Sequence, residues 1–199
     1  REKIREEVAA WGMRASIDSV GFRLVRNWRR QVTQEIVRSL TAPCLRVEGR
    51  FHPGYLSASV EESIWQLVSR QPRHLLPPRF PSWKQLLLDA VDSQTREIQG
   101  EDSSFEAKLA SYTWGAMNKA RVLHPLGGAL GPAADWMRLN MPIEPMSGDS
   151  NGMPHIHLFS EGASQRMAVS PGREDQGYFH MPAGQSGHPW SPHYRDGHA

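Results

Sequence analysis

One apolar stripe constrains this chain more than any other feature. Ile17, Val20, Leu24, Trp28, Val32, Ile36 and Leu40 follow one another at steps of three and four. That spacing places them on a single face of one long helix. A stripe of that length cannot bury itself, so other helices must pack along it. Arg23, Arg26, Arg29 and Arg30 fall largely off the stripe and read as a solvated face. No exposed aromatics interleave with them, as a nucleic-acid groove would require. Ser16 or Asp18 is placed to cap the helix, and Ile4, Val8 and Trp11 predict a shorter helix before it.

Further helices announce themselves through capping. Ser59 with Glu62, Ser82 with Gln85 and Ser103 with Glu106 each have the Ser-x-x-Glu/Gln form of a capping box. The first predicts a helix through Val60, Ile64 and Leu67, stopping before Pro72. The second predicts one through Trp83, Leu87, Val91 and Ile98, and the third a shorter one. His74–Pro78 reads as an apolar extended linker, and Thr41–Tyr55, with Pro43, Gly49, Pro53 and Gly54, as loop. Thr113 can cap a helix bearing Trp114, Met117 and Arg121.

The texture changes near Pro125. Of 17 Gly and 15 Pro in the chain, 11 and 9 lie from that residue onward. Pro132 suits the first turn of a short helix through Trp136 and Leu139. Met153–Ser160, Ser164–Ser170 and Gly177–Met181 are extended candidates, separated by Glu161-Gly162 and Pro171-Gly172. The expectation is therefore α+β, with a mainly helical segment at 1–124 and a Gly/Pro-rich β and turn segment at 125–199.

Composition excludes several function classes. Lys and Arg number 23 against 21 Asp and Glu, a net +2 that gives no strong case for a polyanion binder. No apolar run approaches the ~20 residues of a membrane-spanning helix. A lone Cys44 excludes an internal disulfide framework and a cysteine zinc site. The 199 residues start at Arg1 without a visible signal peptide, and both ends read as cut from something longer.

Local motifs supply no self-contained catalytic constellation. Ser186 sits in Gly184-Gln185-Ser186-Gly187-His188, but a nucleophile elbow needs Gly at the position of His188, with a helix to follow. Pro189 and Pro192 discourage that helix, so a Gly-rich turn is expected. His155 and His157 would share a strand face at a chelating spacing, yet no Asp or Glu lies close by. Asp149 lies in a polar turn that lacks the alternating carboxylates of a calcium loop.

Five segments, in order, resemble the C-terminal part of the penicillin acylase (penicillin amidase) family. Met181–Tyr194 is similar to the family's Pro-Gly-Gly-Gln-Ser-Gly-x-Pro-x-Ser-x-His-Tyr signature, and Ser164–Val169 to its Ser-x-Arg-Met-x-Val strand. Trp114-Gly115 with Asn118 and His124-Pro125-Leu126 resembles its Trp-Gly…Asn…His-Pro-Leu pattern. Pro145 with Gly148-Asp149 resembles a Pro-x-x-Gly-Asp turn, and Asp18-Ser19 with Trp28 an Asp-Ser…Trp helix. Departures are Trp11-Gly12-Met13, where the family usually has Trp-Asp-Gly, and an extra residue at Gly152.

The resemblance implies an N-terminal-nucleophile hydrolase with an αββα sandwich, made from a self-cleaving precursor and active in the periplasm or outside the cell. A new N-terminal Ser would attack a hydrophobic acyl amide, with its own α-amine as base. A β-lactam, an acyl-homoserine lactone or an N-acyl amino acid would serve as substrate. That nucleophile, the oxyanion Asn and the calcium ligands of the full enzyme would all lie upstream of the matched region. No catalytic, cofactor-binding or metal-binding residue is therefore assigned here. The implied partner is the remainder of the precursor, comprising the small subunit and the N-terminal part of the large one. Neither nucleic acid nor membrane is expected as a partner. The alternatives are an independent serine hydrolase using Ser186 with His180, His188 or His193, and a non-catalytic interaction module.

Overall fold

The computed structural model describes residues 1–50, 60–100, 104–149, 166–180 and 183–197. The chain divides into two compact units, Arg1–Gly12 with Val20–Tyr112, and Met13–Ser19 with Thr113–Ala199. The line between them falls at Tyr112/Thr113. Seven residues that precede the longest helix belong to the later unit.

The first unit is helical. Helices α1 (Glu2–Ala9), α3 (Glu61–Arg70), α4 (Trp83–Gln99) and α5 (Phe105–Ser111) all pack on α2 (Val20–Val47). The predicted stripe supplies the reason: Val20, Leu24, Val32 and Ile36 are buried along α2. One cluster gathers Val32, Ile36 and Val37 with Ile64, Phe80, Trp83, Leu86 and Ala90. A second gathers Val20 and Leu24 with Ile4, Ile98, Leu109 and Tyr112. Ile17 and Leu40, the ends of the predicted stripe, are exposed, and Ile17 lies before the helix starts. Helix α2 begins at Val20, so neither Ser16 nor Asp18 is the residue next to its first turn.

Helix α2 also corrects the expected loop after Thr41, because it runs through Pro43 to Val47. Proline removes one donor, leaving the Ser39 carbonyl without its usual bond. The Thr41 hydroxyl donates to the Val37 carbonyl (2.7 Å), and the Glu48 N–H closes the last turn on Cys44 (2.9 Å). Ser39 is half-buried, and residues 42–50, beyond the proline, are exposed.

Capping decides the other helix starts. Ser82 Oγ accepts from the Gln85 N–H (3.2 Å), as the capping box predicts. Helix α3 instead starts behind Val60 and α5 behind Ser104, neither with a side-chain cap bond. Ser59 and Ser103 lie outside the described residues. The predicted linker contains a 3₁₀ turn at Arg73–Leu75 and turns extended at Leu76. Tyr112 closes the unit: its hydroxyl accepts from Asn27 Nδ2 (2.8 Å), donates to Glu97 (3.3 Å), and carries Arg23 3.6 Å above its ring. Burial pushes its phenol above the ordinary range.

The second unit is built from short pieces. Helices α6 (Trp114–Met117), α7 (Gly127–Leu130) and α8 (Pro132–Trp136) are each a turn or so long. Strand β1 (Lys119–Ala120) pairs antiparallel with β2 (Glu144–Pro145), and β3 (Arg166–Ala168) with β4 (Tyr178–His180). Pro132 occupies the first turn of α8 as expected. Helix α6, capped by the Thr113 hydroxyl, ends before Arg121 because Asn118 is extended and leads into β1. The predicted strand Met153–Ser160 and the Glu161-Gly162 turn lie outside the described residues. Mixed helices and short antiparallel strands agree with the α+β expectation.

Candidate functional site

The segments singled out by motif converge in two knots of the second unit. In the first, Trp114 and Asn118 are almost wholly buried. Trp114 Nε1 donates to the Gly148 carbonyl (2.7 Å), and Asn118 Nδ2 donates to the carbonyls of Met146 (2.8 Å) and Gly148 (3.3 Å). The backbone N–H groups of Trp114, Gly115 and Gly148 donate to the carbonyls of Ser19, Ile17 and Ala15 at 2.9, 2.7 and 2.8 Å. Only glycine fits at 115, because a Cβ there would stand 2.8 Å from the Ile17 oxygen and 3.0 Å from Pro145 Cβ. Buried amide and indole donors must find acceptors, and here irregular backbone provides them.

The second knot joins His124, Asn140 and the stretch Gly184–Arg195. Asn140 Oδ1 accepts from the His124 N–H (3.1 Å), while Asn140 Nδ2 donates to Asp135 (2.8 Å). The buried Tyr194 hydroxyl donates to the Leu139 carbonyl (2.7 Å). Arg195 Nη2 donates to the carbonyls of Asn140 (2.6 Å) and Arg138 (3.1 Å). The Gly184 N–H donates to Tyr194 (2.9 Å) and the Ser186 N–H to His193 (3.2 Å), folding the stretch back on itself. A Cβ on Gly184 would fall 1.8 Å from the His193 oxygen, so no other residue is accommodated.

A family profile named Penicillin amidase matches residues 1–199 in full. The chain belongs to the penicillin amidase family. It is 26% identical, over 211 residues and its whole length, to the penicillin acylase 2 proenzyme of Pseudomonas sp. (strain SE83). It spans 25% of the length of that curated relative.

Motif positions that resemble the penicillin amidase family fall in these two knots. Trp114, Gly115, Asn118 and Gly148 lie in the first knot; His124, Gly184 and Tyr194 lie in the second. Ser186 Oγ accepts from the His188 N–H (3.1 Å), which is a local turn contact. Among the described residues no imidazole nitrogen bonds to that hydroxyl. His188 Nδ1 instead accepts from the Trp190 N–H (3.2 Å). The His193 ring pairs with Asp196 (2.7 Å) on the exposed surface. His180 lies in β4 at the register of Arg166.

Among the described residues no three His, Cys, Asp or Glu come together. His155 and His157 lie outside the described residues. Among the described residues, too, no helix is long and apolar enough to cross a membrane. Sequence reasoning missed Gln94, which is 2% exposed and donates from Nε2 to the Leu24 carbonyl (3.1 Å). Its signal was available: Leu86, Ala90, Gln94 and Ile98 recur every four residues, with one polar member.

Proposed function

We propose that this chain is a scaffold segment of an acylase that hydrolyses hydrophobic acyl amides, with the nucleophile carried by polypeptide outside residues 1–199. The complete protein would be a self-processed N-terminal-nucleophile hydrolase with an αββα sandwich, working in the periplasm or outside the cell. Its substrate would be a β-lactam, an acyl-homoserine lactone or an N-acyl amino acid. Any calcium would be held by residues elsewhere in it. Chemically, an α-amine accepting the proton of its own Ser hydroxyl makes a poor nucleophile competent, and preorganised donors stabilise the oxyanion. Here the buried Trp114 indole and the Asn118 and Gln94 amides donate to backbone carbonyls.

The observation that supports this reading is the β3–β4 hairpin. Met167 and Phe179 face each other across the strands yet are 69% and 58% exposed, while Tyr178, on the opposite face, is 60% exposed. Among the described residues no third strand pairs with either edge. A two-stranded sheet is marginal in water, and apolar groups on both faces call for layers on both sides. A sandwich completed by the rest of the precursor would supply them.

The test compares the full-length protein with residues 1–199 alone on chromogenic acyl amides. Hydrolysis by the full-length protein, none by the segment, and a Ser, Cys or Thr at the N-terminus of its processed large subunit are expected. Hydrolysis by residues 1–199 alone, or fluorophosphonate labelling lost in Ser186→Ala, would overturn the reading.

A further inference from the structure

A groove of about 430 Å³ opens in the first unit where α1, α2 and α4 meet. Its walls are Ile4 and Val8 of α1, Leu24 and Val25 of α2, and Leu88 and Val91 of α4. The polar groups around it are nearly all committed. Trp28 Nε1 donates to the Leu87 carbonyl (3.0 Å), Gln94 Nε2 to the Leu24 carbonyl, and Arg1 holds Asp92 through two bonds of 2.7 and 2.6 Å. The exception stands on the rim: among the described residues the Arg5 guanidinium has no ion-pair partner.

Small-molecule sites orient their ligands with a few convergent polar groups. This groove turns none inward. An apolar floor with a charged rim is instead the anatomy of a polypeptide interface. We propose that the groove seats an apolar segment of the same polypeptide lying outside residues 1–199, with a carboxylate on that segment meeting Arg5. The relative is about four times as long as this chain, since the match covers 25% of it. A segment of one polypeptide meets such a groove at high effective concentration, an advantage that a second copy lacks. The inference rests on the proposal that the chain is part of a longer acylase.

The experiment replaces Arg5 with p-benzoylphenylalanine in the full-length protein, irradiates it, and maps cross-linked peptides by mass spectrometry. One dominant partner peptide from outside residues 1–199 is expected, rich in aliphatic or aromatic residues and carrying Asp or Glu. Leu88→Arg should lower its yield at least tenfold. Should that variant fail to fold, Val25→Ser in the same background should still lower the yield severalfold. Cross-links between isotopically mixed copies, cross-links confined to residues 1–199, a small molecule released by solvent extraction, or no cross-link at all would each overturn the proposal. Acyl-amide hydrolysis is assayed on the protein with native Arg5. Hydrolysis without the cross-link refutes the groove alone, and the cross-link without hydrolysis refutes the acylase reading alone.

Discussion

The two units are held together by different physics. In the first, long helices bury Leu24, Val32, Ile36 and Leu86 against one another, and stability follows apolar area removed from water. In the second, elements of two to five residues are tied by single donors to single carbonyls, such as Asn118 to Met146 and Tyr194 to Leu139. A packed interface loses stability in proportion to the volume deleted. A knot of directed bonds fails at particular atoms and is nearly indifferent elsewhere.

The largest effect that would sharpen this contrast is Gly184→Ala. One methyl group is added, yet it must displace the His193 carbonyl, so a loss above about 4 kcal/mol is expected. Chemical denaturation of the full-length protein checks it, and a loss under ~1 kcal/mol would break the comparison. Trp114→Ala follows, at about 3–5 kcal/mol for the vacated volume and the lost bond to Gly148. In the first unit Ile36→Ala should cost about 2–5 kcal/mol and Ile36→Val only 0.5–1.5, a graded response measured by urea midpoints. Ser82→Ala should cost about 1 kcal/mol through the lost cap on Gln85.

The smallest effect is the pH dependence of the Arg1–Asp92 pair. Hydrogen bonding from Arg1 holds the Asp92 carboxyl below its ordinary range. Its contribution is therefore complete above the ordinary carboxylate pKa and is lost as pH falls through the lowered folded value. Melting temperature against pH should slope slightly less below the ordinary carboxylate range in Arg1→Gln than in the parent. An identical slope would show that the exposed pair contributes nothing, as many surface pairs do.

The sequence made the first unit readable because periodicity reports burial. The stripe from Val20 to Ile36 and the Ser82 cap both appear where expected. Periodicity failed where a polar residue took a core position, as Gln94 does, and where a helix outlasted its proline, as α2 does. The second unit was readable mainly by resemblance. Nothing in the local pattern around Asn118 predicts that its amide will reach two carbonyls some thirty residues on. Strands β3 and β4 were placed within a residue or two, since a Pro-Gly turn sits between them. Of the candidate site, the turn at Ser186 was legible, since Pro189 and Pro192 discourage a helix there and the Ser186 hydroxyl accepts from the His188 N–H.

The threading of Met13–Ser19 into the later unit has a consequence for biosynthesis. The carbonyls of Ala15, Ile17 and Ser19 leave the ribosome before their donors at Trp114, Gly115 and Gly148, which follow about a hundred residues afterwards. At translation speeds of ~5–20 residues per second that interval is roughly ten seconds. The Met13–Ser19 stretch waits through it for its donors, so the later unit cannot close before Gly148 has been made.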